Sequence, residues 1–223
     1  MNLKDIKKSY DVICSLGSSC LPTYQLKRCN LRVFSGPLDW VLSPSLSDVN
    51  RLLKNKLSDF MELKNMSLVE GPYYNLLNDN SEDQASQTYQ IKDNTYNITS
   101  VHDFPIVPNH DWAATYPAYK EKLDIRINRF LEKIINSHST LFIRVGATYD
   151  ETVELQSVLS LLTNGNFNLL IVNLVVGSQH IVEKNWEIEK VSSVECPHRY
   201  DIWHGEDSAW DYILSGIKLN QAI

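Results

Sequence analysis

The fold class is indicated by one stretch near the N-terminus, YDVICSLGSSCLPTYQLKRCN, which is residues 10–30. It begins with an apolar run that contains β-branched residues and stops at Gly17, and this pattern predicts a buried strand. The two serines that follow can cap a helix, and Pro22 suits a first helical turn. A strand, a tight turn and a short helix are therefore predicted, with Cys20 in the turn.

Further along the chain, apolar strand-like runs alternate with amphipathic helical stripes. Besides the first unit, strands are predicted at residues 99–104, 141–145, 169–176 and 200–204, and helices at residues 46–57, 119–136, 150–162 and 207–217. Such alternation favours parallel strands with both faces of the sheet covered. We therefore predict an α/β fold with a mostly parallel sheet, helices on both faces and the nucleophile in the turn after the first strand.

The chain is predicted to form one α/β domain over residues 1–223, because no repeat, low-complexity tract or linker divides it. The helical and strand patterns are lost at about residues 61–99, where tyrosines alternate with Asn, Asp and Ser. A long segment of this composition is often a covering loop or a small hairpin. We expect an irregular Tyr/Asn-rich excursion there.

Composition and charge exclude several classes of protein. The net charge of −6 and the pI near 5.5 argue against a nucleic-acid-binding protein, which usually has a clustered basic excess. No run of residues approaches the apolar length of a membrane span, and the polar N-terminus lacks the apolar centre of a signal peptide, so a cytoplasmic protein is expected. The four cysteines show neither a CxxC pair nor the histidine spacing of a zinc site. We expect free thiols, no metal and no cofactor.

Cys20 is the strongest candidate for chemistry. The thiolate is the reactive form of cysteine, and the free N–H groups and dipole of a helix N-terminus favour negative charge. The turn formed by Gly17, Ser18 and Ser19 could also stabilise an oxyanion on an attacked carbonyl. Either serine could itself be the nucleophile, but a serine at this position is already explained as a helix cap. The other cysteines are expected to be structural: Cys14, Cys29 and Cys196.

The block SLGSSCLPTYQLKRCNLRVFSGPLDWV, residues 15–41, resembles a bacterial and viral family of uncharacterised proteins described as papain-like cysteine peptidases. Weaker similarity continues in VHDFP, YKEKLDIRINRFL, LFIR and WHGEDSAWDYIL, so that the resemblance spans nearly the whole chain. The resemblance implies a Cys–His mechanism with Cys20 as nucleophile and His102 as base. Papain-like chemistry also uses an Asn or Asp to orient the imidazole. Asp103 is not expected in that role, because its side chain should point to the other face of the strand.

A second constellation leaves the choice of base open. Asp201 and His204 have the Asp-x-x-His spacing that resembles the base element of Ser-Gly-Asn-His esterases. Some capsule-polysaccharide acyltransferases similarly combine a cysteine after the first strand with a distant histidine. In this interpretation Cys20, His204 and Asp201 form a triad, and Gly17 or Asn173 contributes to the oxyanion site.

Three further residues are predicted to bind substrate. Asp39 and Trp40 are expected beside Cys20, and Arg144, at a predicted strand end, could bind an anionic group. The segment around Trp203 is expected nearby as well, because the blocks that resemble the family should converge on one pocket.

Together these features predict a cysteine-dependent hydrolase or acyltransferase that acts on a peptide, acyl or carbohydrate substrate. Two alternatives are a non-catalytic binding or scaffold protein, and a polysaccharide O-acyltransferase with an esterase-like fold. The reactivity of Cys20 separates the enzymes from the scaffold protein.

Overall fold

The structure is a computed structural model that describes residues 1–74 and 87–220, without the side chains of residues 70–74. Eleven strands are described: β1 (Ser9–Tyr10), β2 (Val12–Ser15), β3 (Val41–Leu42), β4 (Met66–Tyr74), β5 (Gln87–Asp93), β6 (Ile98–Pro105), β7 (Ser139–Val145), β8 (Asn166–Val176), β9 (Val182–Lys184), β10 (Val191–His198) and β11 (Lys218–Leu219). The five α-helices in the same ranges are α1 (Leu21–Arg28), α2 (Leu46–Lys54), α3 (Tyr116–Asn136), α4 (Tyr149–Leu162) and α5 (Asp207–Leu214).

The main sheet has five strands in the order β2-β7-β8-β10-β9. The first four strands are parallel, and β9 joins the edge in the antiparallel direction. Within β7, Leu141 and Ile143 pack towards α1 and α5, whereas Phe142 packs towards α2, α3 and α4. Burial on both faces explains the apolar run at residues 141–143 in the centre of this strand. The predicted α/β fold with a mostly parallel, doubly covered sheet is confirmed for this sheet.

The fold contains a second sheet, whereas the sequence predicts a single, mostly parallel sheet. Its four strands are antiparallel, in the order β3-β6-β5-β4. The strand predicted at residues 99–104 is β6 and belongs to this sheet. Strands β4 and β5 lie in the segment that was expected to be irregular, residues 61–99, of which residues 75–86 are outside the described ranges. These strands are only partly buried and contain register shifts, which is why their sequences lack a clear alternation.

The region between β10 and α5 also differs from the prediction. Residues 200–204 were expected to form a strand edge, but they form two successive turns. The amide of Ile202 donates to the carbonyl of Arg199, and the amide of Gly205 donates to the carbonyl of Ile202. Strand β10, which the sequence did not predict, ends just before these turns.

The two sheets meet beside the turn that carries Cys20. This turn follows the carboxyl end of β2, where α/β folds commonly bind ligands. The amide of Ser43, at the end of β3, donates a 2.9 Å hydrogen bond to the carbonyl of Ser18 in the turn. Strand β3 in turn pairs with β6, which contains His102. Among the helices of residues 1–74 and 87–220, none has the length and apolar character needed to cross a membrane.

Candidate active site

Cys20 lies between β2 and α1, at the N-cap position of the helix. The turn before it is tight, since Gly17 has φ of 80° and Ser18 has φ of 104°. The amide of Ser18 donates to Ser43 Oγ at 2.9 Å, which fixes the turn to the end of β3. Contacts with a distant segment of the chain therefore hold the turn that carries Cys20.

Gly17 is required by this packing. A Cβ atom at this position would lie 2.7 Å from Ser43 Oγ and 3.3 Å from the carbonyl oxygen of Leu38. Gly177 offers a matched control, because its φ of 83° is nearly the same but a Cβ there would meet nothing within 4 Å. An alanine at either glycine is strained by its positive φ, at a cost of about 1 kcal/mol.

We expect Gly17→Ala to lower the free energy of unfolding more than Gly177→Ala does. The difference between the two variants measures the steric contacts with Ser43 and Leu38, because the backbone strain is common to both. Chemical denaturation of each variant would check this expectation. Equal losses of stability would show that the turn can move away from Ser43 without cost.

Arg144 supports the same turn from the main sheet. Its side chain is fully buried, at 0% exposure. The guanidinium donates to the carbonyl of Leu16 at 3.0 Å, to Ser43 Oγ at 2.9 Å and to the carbonyl of Ser43 at 2.6 Å. Burial lowers the pKa of Arg144 to about 10, which leaves it charged at neutral pH. The prediction that Arg144 binds an anionic substrate is therefore corrected, because its donors are directed at the protein interior.

His102 lies beside the Cys20 thiol. The distance between Cys20 Sγ and His102 Nε2 is 3.3 Å, within hydrogen-bonding range for sulfur. His102 occupies a bulge in β6, where three residues between Ser100 and Phe104 face a single residue of β5. A bulge changes the direction of the side chains that it contains. The imidazole that reaches the turn after β2 therefore belongs to a residue of this bulge.

Trp40 and Asp39 surround this pair in different ways. The Trp40 ring is buried and perpendicular to the His102 ring, with 6.0 Å between the ring centroids. The Asp39 carboxylate is buried and accepts hydrogen bonds from Arg32 Nε at 2.9 Å, the Gly36 amide at 2.8 Å and Thr23 Oγ1 at 3.0 Å. Burial raises the pKa of Asp39, and the charge of Arg32 opposes that effect. Trp40 thus lies next to His102, whereas the carboxylate of Asp39 joins its loop to α1.

The electrostatic surroundings of Cys20 differ from those expected at a helix N-terminus. Burial raises the pKa of the Cys20 thiol to about 12, and the negative charges of Asp103 and Asp39 act in the same direction. Asp103 accepts hydrogen bonds from Ser100 Oγ at 2.8 Å and from Arg126 Nη1 at 3.2 Å, so its carboxylate is engaged by β6 and α3. The resting thiol is therefore protonated at neutral pH.

The predicted pair of Asp201 and His204 is not formed in the described part of the chain. Both carboxylate oxygens of Asp201 accept hydrogen bonds from Arg199, two residues away in the same turn. His204 packs against Tyr24, with a centroid distance of 4.9 Å, and its Nδ1 lies 3.7 Å from Asp207. The carboxylate of Asp201 is thus bound by Arg199, and the carboxylate beside His204 is that of Asp207.

The expected oxyanion donors are engaged in other bonds. The Gly17 amide donates to Ser15 Oγ at 3.1 Å, and the Ser18 amide is bonded to Ser43. Ser19 Oγ accepts a long bond of 3.3 Å from the Leu21 amide, but the N-cap of α1 is Cys20 and no side chain of the described residues caps the helix, so the predicted capping role of the serines is wrong. The side chain of Asn173 forms two hydrogen bonds with the backbone of Ala147 and holds the loop before α4. The backbone amides of Gly17 and Ser18 and the side chain of Asn173 therefore form hydrogen bonds within the protein.

Ser43 is the residue of this region that sequence reasoning missed. It is fully buried and contacts the Cys20 turn, β3 and Arg144 at once. Its local sequence, LSPS, indicates only a turn before a helix. Within the described residues, no three His, Cys, Asp or Glu side chains are grouped so that they could hold a metal ion.

Comparison with known proteins places the chain in a family. Residues 11–177 match the model of a family described as "Putative papain-like cysteine peptidase" (DUF1796). An uncharacterised protein of Acanthamoeba polyphaga mimivirus is 28% identical over 217 residues, covering 90% of this chain and 95% of the viral protein. No solved structure matches the chain at a significant level. The match covers most of the chain, including Cys20 and His102, and this protein therefore belongs to that family.

Proposed function

We propose that the chain is a thiol hydrolase that cleaves peptide bonds, with Cys20 as nucleophile and His102 as general base. The observation that carries this proposal is the 3.3 Å distance between Cys20 Sγ and His102 Nε2. A cysteine nucleophile needs a base within hydrogen-bonding reach, and this contact meets that requirement. The family membership supports a peptide as the substrate.

The raised pKa of Cys20 determines how the thiol would be activated. A preformed thiolate–imidazolium pair is disfavoured because burial and two nearby carboxylates oppose the negative charge on sulfur. His102 would then remove the proton while the sulfur attacks the carbonyl carbon. The imidazolium would return that proton to the amine as the C–N bond breaks, which leaves a thioester on Cys20.

Water would complete the cycle. His102 would take a proton from the water as it attacks the thioester, and the thiol would be regenerated when the C–S bond breaks. The amide of Cys20, at the start of α1, is the proposed donor to the oxyanion formed in both steps. Transfer of the acyl group to an amine or a sugar hydroxyl would share the first step. Product analysis with and without added acceptors separates transfer from hydrolysis.

The pH dependence of alkylation tests this form of activation. We expect the rate of Cys20 alkylation by iodoacetamide to rise about tenfold per pH unit between pH 8.5 and 10, because the thiolate fraction grows by that factor below the thiol pKa. Free cysteine under the same conditions should level off near its pKa of about 8.5. Peptide mapping by mass spectrometry would report the rate at Cys20 alone. A rate at pH 8 that already equals the plateau rate of free cysteine would demonstrate a resting thiolate and contradict general-base activation.

A further inference from the structure

The outer face of helix α4 is almost free of charge. The helix packs against the main sheet through buried side chains that include Leu155, Val158 and Leu159. Six of its residues are exposed, and a single one of them is charged: Tyr149, Asp150, Val153, Ser157, Ser160 and Leu161. The solvent side of a surface helix usually carries several charged residues. We call these six residues the α4 face.

Helix α3 has the usual composition and shows the contrast. It packs in the same core cluster as α4, and its exposed side carries both signs of charge: Glu121, Lys122, Asp124, Glu132 and Lys133. The α4 face instead exposes the large apolar side chains of Tyr149, Val153 and Leu161, and Leu161 is 87% exposed. Residues 149, 153, 157 and 161 are four positions apart and form one row along the helix. An apolar row on the surface marks an interaction site.

The two ends of the α4 face carry opposite charges. Asp150 lies in the first turn of the helix. At the C-terminal end, Ser160 lines an open cavity of about 450 Å³ together with His138 and Lys190. Within residues 1–74 and 87–220, neither Asp150 nor Lys190 forms a salt bridge. Both charges are therefore available to a partner.

Nearby glutamates do not line the cavity beside Ser160. Among the described residues, the lining of this cavity contains no acidic side chain, whereas Glu187 and Glu189 line a neighbouring cavity that also includes Lys190. Lys190 Nζ lies 4.9 Å from the centroid of the Phe167 ring, a contact that holds the ammonium group in place. The C-terminal end of the α4 face is therefore bordered by a positive charge.

These features make the α4 face complementary to itself. In two antiparallel copies of α4 related by a two-fold axis at the middle of the helix, Tyr149 lies opposite Leu161 of the second copy. The small side chain of Ser157 then lies opposite Val153 at the crossing, which allows the helix axes to approach. Asp150 lies opposite Ser160 of the second copy, beside the cavity that contains Lys190. Each end of the face thus meets an end with matching shape and opposite charge.

We propose that two copies of this chain form a dimer through the α4 face, with the two helices antiparallel about a two-fold axis. A second copy fits the face because apolar side chains cover each other and an acidic end meets a basic end, twice in each dimer. One helix face offers less area than the roughly 800 Å² per partner of a standard interface, so the dissociation constant should be on the order of tens of micromolar.

This dimer would leave both candidate active sites open. Strands β2 and β7 are parallel, and Cys20 and α4 follow their carboxyl ends. Antiparallel pairing of α4 therefore places the two Cys20 edges at opposite ends of the dimer, about 20 Å apart along a helix of 14 residues. Association through α4 does not depend on the proposed chemistry at Cys20.

Sedimentation velocity of the full-length protein tests the dimer. We expect the weight-average sedimentation coefficient to rise between about 5 and 500 μM protein, because a weak dimer forms by mass action. Leu161→Asp should raise the dissociation constant by about a hundredfold, since it places a carboxylate against an apolar ring twice in each dimer. A protein that stays monomeric over this range would overturn the proposal and leave the face to a partner of another kind.

Ile125→Asp is the matched control for Leu161→Asp. Ile125 is 55% exposed on α3, so the same charge is introduced at an exposed apolar position outside the α4 face. This variant should keep the wild-type dissociation constant. Thermal melts followed by circular dichroism would establish that both variants are folded. Equal weakening of the dimer by the two substitutions, or none by Leu161→Asp, would overturn the assignment of the interface to α4.

An exchange of charges tests the antiparallel pairing. Asp150→Lys and Lys190→Glu should each raise the dissociation constant about tenfold, because like charges then face each other at both ends of the interface. The variant that carries both substitutions restores opposite charges and should associate nearly as tightly as the wild type. Sedimentation velocity of the three variants would measure these constants. A double variant that associates no more tightly than the single variants would overturn the two-fold, antiparallel arrangement.

Discussion

Replacement of His102 by alanine is expected to slow the hydrolysis of a fluorogenic peptide library by about a hundred- to ten-thousand-fold, the usual contribution of a general base. The loss should be this large because the buried Cys20 thiol, with its pKa raised to about 12, holds little thiolate at neutral pH and depends on the imidazole for proton removal. Cys20→Ala should remove the activity completely.

A histidine at the other end of the main sheet is a suitable control for this loss. His138 precedes β7, whereas Cys20 follows the carboxyl end of β2. The variant His138→Ala should therefore hydrolyse the library at the wild-type rate. Circular dichroism would establish that each variant is folded. Wild-type hydrolysis by a folded His102→Ala variant would exclude His102 as the base.

The second large effect is on stability. We expect Arg144→Met to lower the free energy of unfolding by about 2 to 4 kcal/mol, because the buried carbonyl oxygens of Leu16 and Ser43 lose their donors. Methionine fills a similar volume, so lost packing should contribute little. Urea denaturation would measure the change.

Arg199→Met is the matched control for Arg144→Met. Arg199 pairs with Asp201 on the surface, where an ion pair adds little to stability. Its replacement should leave the urea midpoint near the wild-type value. An Arg144→Met variant as stable as the Arg199→Met variant would show that the carbonyls near Cys20 find other donors.

Much of the fold was predictable where the determinants are local. The β2–turn–α1 unit follows from an apolar run, a glycine with positive φ and a proline in the first helical turn. Strands β4 and β5 of the antiparallel sheet were not predicted because they are only partly buried and contain register shifts, which remove the alternation that identifies a strand. Sequence periodicity is therefore a good guide to the main sheet and a poor one to the second sheet.

The candidate site was predictable in part for the same reason. The local pattern locates Cys20, but the contact with His102 depends on a bulge of two extra residues in β6 and on the packing of two sheets. The sequence places Arg144 at a strand end without revealing that its guanidinium is directed inward. The Asp-x-x-His spacing was misleading because Arg199 engages the Asp201 carboxylate.

The pairing of Cys20 with His102 is most directly tested by alkylation at pH 7.5, because iodoacetamide needs no knowledge of the substrate. The rate at Cys20 should be compared among the wild type, His102→Ala and His204→Ala, with half-buried Cys29 as an internal reference in each sample. We predict that His102→Ala slows alkylation of Cys20 by about tenfold or more relative to Cys29, because the buried thiol holds little thiolate at this pH and depends on the imidazole for proton removal. His204→Ala should leave the ratio unchanged. A slower rate in His204→Ala alone, or in neither variant, would contradict the assignment of His102 as the partner of Cys20.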